Sequence, residues 1–171
     1  MDEFWDILDS SGNKIGRLHK RGEPMADDDF HLVVHVWIVN INGKLLISKR
    51  TVNKNFPLMW ECTGGSAVAG DDSLTTAIKE AQEELGINLV PENGSIFTRI
   101  KRDFEGMGGD DFVDVWIFRQ EVNIDEITFN PDETCDAKWA SPYEICKMIN
   151  NGEFIGRDIF PYIDELFEHL R

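Results

Sequence analysis

The sequence is short of positive charge. Among its 171 residues, 17 are lysine or arginine and 32 are aspartate or glutamate, which gives a formal net charge of -15. An extended phosphate backbone would be repelled by this charge, so we expect no DNA or RNA polymer as a partner. A small anionic substrate remains compatible with it, because a divalent cation held by clustered carboxylates inverts the local field.

Cysteine and long apolar runs are also scarce. The three cysteines, Cys62, Cys135 and Cys146, form no C-x-x-C pair and have no histidine cluster near them, so a zinc site is not indicated. No apolar run approaches the roughly 20 residues that a membrane span requires. The first residues, Met1 to Asp6, are acidic where a secretory signal would be basic. We expect a cytoplasmic protein with reduced thiols and no membrane partner.

Length and local pattern predict one domain, residues 1–171, with an α+β fold. The chain can build one core but is short for two. An N-terminal extension, residues 1–29, contains a β-hairpin pattern with a polar, glycine-containing turn at residues 9–13. A second hairpin and an extended segment follow it. Strands and helices then mix without a regular βαβ repeat. The predicted strands are 5–8, 14–18, 32–39, 44–48, 96–103, 112–122 and 137–140, a loop covers 105–111, and the late helices are 142–150 and 160–170.

The best-delimited helix pattern ends at Leu85. Its apolar residues recur at spacings of three and four, which is typical of one buried helical stripe. Gly86 follows it and is expected to end the helix, because glycine readily adopts the left-handed backbone conformation. The stripe consists of Leu74, Ala77, Ile78, Ala81 and Leu85, and the N-cap candidates are Asp71, Asp72 and Ser73.

Three glutamates, Glu80, Glu83 and Glu84, project from one face of this helix. Like charges at that spacing destabilise a helix unless they are solvated or share a cation. Oxygen ligands in this number suit Mg²⁺ or Mn²⁺. For the helix alone, a solvated acidic face explains the pattern as well. A glycine pair, Gly64-Gly65, lies just before the helix and allows the backbone to approach a metal or a phosphate.

With this glycine pair, residues 65–87 resemble the box of the Nudix family, G-x5-E-x7-R-E-U-x-E-E-x-G-U, where U is a bulky aliphatic residue. Three positions depart from it: Asp71 replaces Glu, Lys79 replaces Arg, and Ala81 replaces a larger aliphatic residue. Lys79 lacks the planar fork with which Arg orients a carboxylate, so the positioning of Glu83 is affected. The pattern falls on Gly65, Asp71, Lys79, Glu80, Ala81, Glu83, Glu84, Gly86 and Ile87.

The resemblance implies an α/β/α sandwich with a mixed sheet and the N-terminal hairpin as an addition. It also implies an Mg²⁺-dependent or Mn²⁺-dependent hydrolase that cleaves the diphosphate bond of a nucleoside diphosphate linked to another moiety. The metal ligands would be Glu80, Glu84 and the carbonyl of Gly64. Glu83 would bind a metal or orient the attacking water.

Members of the family often recruit a further carboxylate from a distant loop or strand. Asp110, Asp111 and Asp114 are the candidates here, and a solvated loop and strand end is the equal alternative. We assign Asp114 to catalysis and Asp111 to substrate binding.

Three further residues are candidates for contact with the substrate. Arg50 and Lys54 are assigned to its phosphate or sugar, although exposed basic residues are usually only solvated. Trp60 either stacks a base or packs in the core.

The stretch from His31 to Leu89 also resembles isopentenyl diphosphate isomerase, a Nudix relative. That enzyme uses a cysteine in the loop after the tryptophan, followed by a metal-binding histidine. The matching stretch here is Gly64-Gly65-Ser66, and Cys62 lies too close to Trp60 to take that place. Hydrolysis is therefore the expected activity, with an isomerase or a non-catalytic nucleotide-binding module as the alternative. The N-terminal hairpin also allows a homodimer contact.

Overall fold

The N-terminal segment forms the hairpin that its polar, glycine-containing turn predicts. In the computed structural model, which describes residues 2–104 and 109–171, β1 (Phe4–Leu8) pairs antiparallel with β2 (Lys14–Lys20). The loop predicted at 105–111 lies outside the described residues except for its last three.

A mixed sheet forms the centre of the molecule. Its strands are β3 (His31–Val39), β4 (Leu45–Arg50), β5 (Trp60–Glu61), β6 (Thr63–Ser66), β7 (Gly94–Arg102), β8 (Asp111–Arg119) and β9 (Thr134–Ala140). The strand order is β5-β4-β3-β8-β7, with β6 paired to β3 and β9 paired to β4. The pairing of β3 with β8 is parallel and the other pairings are antiparallel.

The second predicted hairpin, β3 with β4, pairs only at its closed end. Val39 lies opposite Leu45, and beyond that point β6 takes the same edge of β3, with Thr63 opposite Val36 and Ser66 opposite Val33. The turn residues of a hairpin indicate where two strands meet but not how far they stay together. This change of partner brings the glycine pair onto the central strand.

Within the described residues, three α-helices cover the two faces of the sheet. α1 (Ser73–Leu85) begins where the side chain of Asp72 accepts the backbone N–H of Thr75 at 2.7 Å, and it ends at Gly86 with φ 68°. α2 (Pro142–Asn150) has a capping box formed by Ser141 and Glu144. α3 (Ile163–His169) is shorter than its predicted span. None of the helices among the described residues is long and apolar enough to cross a membrane.

Alternate residues of β3 belong to two separate cores. Val34 and Val36 pack with the α1 residues Ala77 and Ala81, whereas Trp37 packs on the opposite face. That second core contains the buried apolar residues of α2 and α3. Burial on both faces explains why all residues of β3 except its two histidines are apolar. The arrangement is the α/β/α sandwich that the resemblance implies.

The hairpin packs on the same chain. The ring of Trp5 stacks on His31 of β3 with centroids 4.0 Å apart. The backbone N–H of Ala69 donates to the carbonyl of Phe4 at 2.7 Å, and that of Gly70 donates to the carboxylate of Asp6 at 2.8 Å. The hairpin is thereby fixed to the loop that connects β6 with α1.

Candidate active site

The two glycines of β6 allow a close approach between the sheet and α1. A Cβ on Gly64 would collide with the carbonyl oxygen of Val34 in β3. A Cβ on Gly65 would lie 2.5 Å from a carboxylate oxygen of Glu80. Glycine is therefore required at Gly64, whereas a side chain at Gly65 would displace the Glu80 carboxylate, so β6 lies directly against the acidic face of the helix.

A cleft of about 220 Å³ lies between these elements. Of the predicted site residues, the structure brings together the helix glutamates, Gly64 and Lys54. The cleft is strongly acidic, since five carboxylates face two cationic side chains. It is lined by Glu3, Arg21, Lys54, Gly64, Gly65, Ser66, Val68, Glu80, Glu83, Glu84, Asn130 and Glu133.

Glu84 is the most buried of the helix acids, with 5% of its surface exposed. The hydroxyl of Thr63 in β6 donates to its carboxylate, and the ammonium of Lys54 lies 3.9 Å from its other oxygen. Burial raises the pKa of Glu84 to about 8, and repulsion by Glu61 and Glu80 adds to the effect. A substantial fraction of this carboxyl is therefore protonated at neutral pH.

Glu80 and Glu83 complete the acidic face of α1. Burial raises the pKa of Glu80 to about 7, with further contributions from the negative charges of Glu83 and Glu133. Glu83 is exposed at the cleft. Three acids with this degree of crowding favour a bound cation, which would stabilise their ionised forms.

The side chains that line the cleft offer carboxylate oxygens, the type of ligand that a hard divalent cation prefers. Across residues 2–104 and 109–171, no three His, Cys, Asp or Glu side chains converge tightly enough to enclose a metal ion. An open set of carboxylates beside a backbone carbonyl nevertheless suits Mg²⁺, which keeps several waters and accepts further oxygens from substrate phosphate.

Two of the departures from the box pattern contact each other. The ammonium of Lys79 lies 2.7 and 2.9 Å from the carboxylate oxygens of Asp71. Asp71, which precedes α1, and Lys79, which lies within α1, therefore form one ion pair. Asp71 is the main cause of the raised pKa of Lys79, and Glu83 lies close enough to raise that pKa further.

Arg50 does not line the cleft, and its guanidinium instead forms an ion pair with Glu61. Its guanidinium donates to the Glu61 oxygens at 2.7 and 2.8 Å and to the carbonyl of Asn55 at 2.6 Å. Burial raises the pKa of Glu61 despite this partner. Sequence reasoning missed Glu61, which lies two residues before β6 and whose negative charge acts on Glu84.

Lys54 reaches the cleft as predicted and contacts an acid that sequence reasoning missed. Its ammonium forms an ion pair with Glu133, which precedes β9. The same segment is fixed to the end of α1, because the N–H of Asn130 donates to the carbonyl of Glu84 at 3.1 Å. No local pattern marks these residues, since the fold brings them to the helix from a distant part of the sequence.

Asp114 and Asp111 are not brought to the cleft. Both oxygens of Asp114 accept from Arg99, at 2.5 and 2.8 Å, and the residue is fully buried. Both oxygens of Asp111 accept from Arg102, at 2.7 and 2.6 Å, and 3% of this residue is exposed. Each predicted role requires free carboxylate oxygens at the site, and the two arginines occupy them.

Trp60 also lies away from the cleft. Its ring is part of the core that contains α2 and α3, and 8% of the residue is exposed. The ammonium of Lys138 lies 4.4 Å from the ring centroid. Of its two predicted roles, packing in the core agrees with this position.

Comparison with known proteins identifies the family. The model of the NUDIX domain matches residues 29–163. The chain belongs to the Nudix family. An uncharacterised Nudix hydrolase of Listeria monocytogenes is 35% identical over 167 residues, which cover 96% of this chain and 94% of that protein. An isopentenyl-diphosphate Delta-isomerase of Cutibacterium acnes is 25% identical over 160 residues, 86% of this chain and 80% of that protein.

A solved structure supports the fold. The crystal structure of a Deinococcus radiodurans protein superposes on the chain with a TM-score of 0.75 at 22% identity, over 95% of this chain and 98% of that one. The predicted Nudix family, the α+β Nudix fold and the relation to the isomerase are confirmed. A Nudix hydrolase was the predicted enzyme class, and the relatives agree with it.

Two residues of the cleft lie outside the segment that the Nudix model matches. Glu3 and Arg21 come from the N-terminal hairpin, and sequence reasoning assigned them no role. The only signal for them in the sequence is the hairpin pattern itself, which does not reveal where the hairpin packs.

Proposed function

We propose that this Nudix protein hydrolyses the diphosphate bond of a nucleoside diphosphate linked to another moiety, with Mg²⁺ or Mn²⁺ as its cofactor. The observation that carries the proposal is the cleft in which the three α1 glutamates, β6 and Lys54 meet. Its excess of negative charge and its two glycines suit a cation and the phosphates bound to it.

The residues that would hold the cation are Glu80, Glu84 and the carbonyl of Gly64. When bound, a divalent cation would neutralise the diphosphate and lower the pKa of a coordinated water. Thr63 orients Glu84 by its hydrogen bond, and Arg50 acts through Glu61, so we propose Arg50 as a positioning residue.

Glu83 is the proposed base because it is exposed in the cleft. It accepts a proton from water while the water oxygen forms a bond to one phosphorus and the bridging P–O bond breaks. The departing phosphate takes the bonding electrons. Lys54 is suited to bind a phosphate oxygen, because its ammonium already lies among the carboxylates of the cleft. We assign no step to Asp111 or Asp114.

The isomerase relative makes isomerisation the second candidate. Cys62 is unsuited to that acid–base role, because it is 2% exposed and burial raises its pKa well above the usual range. The position next to the glycines in the cleft is occupied by Ser66.

The deciding experiment measures phosphate and nucleotide release from a panel of diphosphate compounds with Mg²⁺ or Mn²⁺. It compares the wild type with Glu84→Gln and with Glu165→Gln, which removes an exposed carboxylate from α3. We expect metal-dependent turnover in the wild type and the control but not in Glu84→Gln. Binding without turnover on every compound would indicate a non-catalytic module. Isomerisation of isopentenyl diphosphate would favour the second candidate.

We also propose that residues 1–171 act as one domain, because the hairpin is bonded to the loop before α1. A homodimer and a cytoplasmic location stay predictions. Size-exclusion chromatography with light scattering tests the first, and cell fractionation tests the second.

A further inference from the structure

The open end of the N-terminal hairpin forms part of the wall of the cleft. Glu3 and Arg21 lie side by side there: the N–H of Arg21 donates to the carbonyl of Glu3 at 2.9 Å. Their side chains form an ion pair in which one guanidinium nitrogen is 3.1 Å from both carboxylate oxygens. Both residues precede the segment that the Nudix model matches.

The hairpin is held firmly enough to present these side chains at a fixed place. Phe4, next to Glu3, accepts the N–H of Ala69 from the loop between β6 and α1, and Trp5 stacks on His31. Val68 of the same loop lines the cleft together with Arg21. The position of Arg21 is therefore coupled to the loop between β6 and α1.

Arg21 and Lys54 are the two cationic side chains of the cleft, and they differ in their partners. Lys54 is engaged by Glu133 and lies close to Glu84, both of which line the cleft. The only ion-pair partner of Arg21 within the described residues is Glu3, and 60% of the Arg21 side chain is exposed. An exposed ion pair of this kind contributes little stability, so an incoming anion can displace it.

We propose that Arg21 binds a phosphate group of the diphosphate substrate, exchanging Glu3 for phosphate oxygens. The inference rests on the proposed function for its substrate class. A guanidinium has paired N–H donors that match phosphate oxygens. A cleft of about 220 Å³ is smaller than usual for a whole drug-sized ligand, so the phosphates with their cation are the part that fits beside Arg21.

Arg21 then acts as a binding residue and not in the chemical step. Its contact with phosphate would form in the ground state and persist in the transition state, so its loss should raise KM and leave kcat unchanged. Arg21→Lys should retain part of the effect, because lysine keeps the charge but loses the fork.

The test measures binding of methylenediphosphonate with Mg²⁺ by calorimetry, and KM and kcat on the best substrate of the panel. We expect Arg21→Ala to raise Kd and KM about tenfold and to leave kcat within about twofold. Arg157→Ala is the matched control, because Arg157 is an exposed arginine paired with Asp164 and does not line the cleft. Circular dichroism and thermal unfolding verify that each variant is folded.

The outcomes separate this inference from the proposed function. If the wild type binds the probe and Arg21→Ala binds it equally well, the role of Arg21 is overturned while the hydrolase stands. If Arg21→Ala weakens binding but the wild type turns over no diphosphate, the binding role stands and the hydrolase falls. If the wild type neither binds nor turns over a diphosphate, both are overturned.

Glu3→Gln tests the exchange itself. Glutamine keeps an oxygen for the hydrogen bond from the Trp5 indole and removes the charge that holds Arg21. We expect Glu3→Gln to tighten binding of the probe about threefold in the wild-type background and not in the Arg21→Ala background. An equal gain in both backgrounds would show that Glu3 only repels the anion, which would contradict the exchange.

Discussion

Two groups of buried or half-buried acids, one on β8 and one on α1, differ in how their charge is met. On β8, Asp111 and Asp114 each bind an arginine through both oxygens. On α1, Glu80 and Glu84 face other acids, and Lys54 is the cation nearest to Glu84. Burial raises the pKa of Glu80 to about 7 and that of Glu84 to about 8. Burial also raises the pKa of Asp111, but the hydrogen bonds and the charge of Arg102 oppose that rise.

The difference shows which acids are available for chemistry. The charge of a carboxylate with a fixed bidentate arginine is met by that partner, and removal of either residue would leave a buried charge unpaired. A carboxylate buried among other acids is unfavourable in the folded protein by itself, which supports the proposed binding role of the α1 acids. Sequence alone made the two groups look alike, because both are short clusters of acids beside apolar residues.

The largest expected effect is on catalysis. Glu80→Gln should lower kcat/KM by a factor of about 10² to 10³, because it removes a proposed metal ligand while keeping the shape of the side chain. Its thermal stability should be unchanged or higher, since the neutral amide is easier to bury than a carboxylate. Steady-state kinetics and calorimetric unfolding measure both quantities. Full activity in Glu80→Gln would contradict the proposal that the α1 acids, unlike the β8 acids, take part in catalysis.

The next effect is on stability. Asp111→Asn should lower the free energy of unfolding by about 3 kcal/mol, because Arg102 would keep a buried charge without its carboxylate. Urea unfolding measures the loss. The remaining folded protein should keep kcat/KM within about threefold of the wild type. A stable but inactive Asp111→Asn variant would return this residue to the active site.

The pH dependence of stability should also separate the groups. The pKa of Glu84 is about 8 in the folded protein, against an ordinary value of 4.5, so the unfolded chain releases this proton at lower pH. The metal-free protein should therefore lose stability as pH rises from about 4.5 to 8, by at most roughly 1.4 kcal/mol per pH unit for each such group.

Glu80, with its pKa of about 7, contributes in the same direction over a narrower range. Thermal unfolding in EDTA at several pH values measures the slope, which Glu84→Gln should reduce. A melting temperature that is independent of pH between about 4.5 and 8 would contradict the raised pKa values of Glu80 and Glu84.

The smallest effect concerns the exposed ion pair at the start of α1. Lys79→Arg restores the residue of the family pattern beside Asp71 and should change kcat by less than about threefold, because the existing pair already joins the two positions. Kinetics of Lys79→Ala, Asp71→Ala and the double variant form the control. Nearly equal losses in all three would show that the pair acts as a unit.

Local patterns predicted the elements of the fold well. The 3.6-residue period and Gly86 located α1, and the polar turn at residues 9–13 located the N-terminal hairpin. The exchange of β4 for β6 along one edge of β3 was not predicted, because strand pairing between distant segments leaves no local signal. The consequence is that the contact between Gly65 and Glu80 became visible only in the structure.

The candidate site was predictable to the extent that it lies within one continuous segment. Glu80, Glu83, Glu84 and Gly64 are placed together by the helix period and a short loop. Residues that arrive from elsewhere divide into two kinds. Lys54 was assigned to substrate contact and lies in the cleft. Asp114 was assigned to catalysis as the further carboxylate that the resemblance implies, but it pairs with Arg99, which lies opposite it on β7.

The division of the cleft between the hairpin and the matched domain has a consequence for how such proteins diversify. The proposed metal ligands belong to residues 64–84, whereas part of the wall is built by residues before position 22. Substitutions of exposed residues in that leading segment would change the shape and charge at the rim while the glutamates of α1 stay in place. If Arg21 binds the substrate as proposed, selection for a new substrate would have a separate stretch of the gene on which to act.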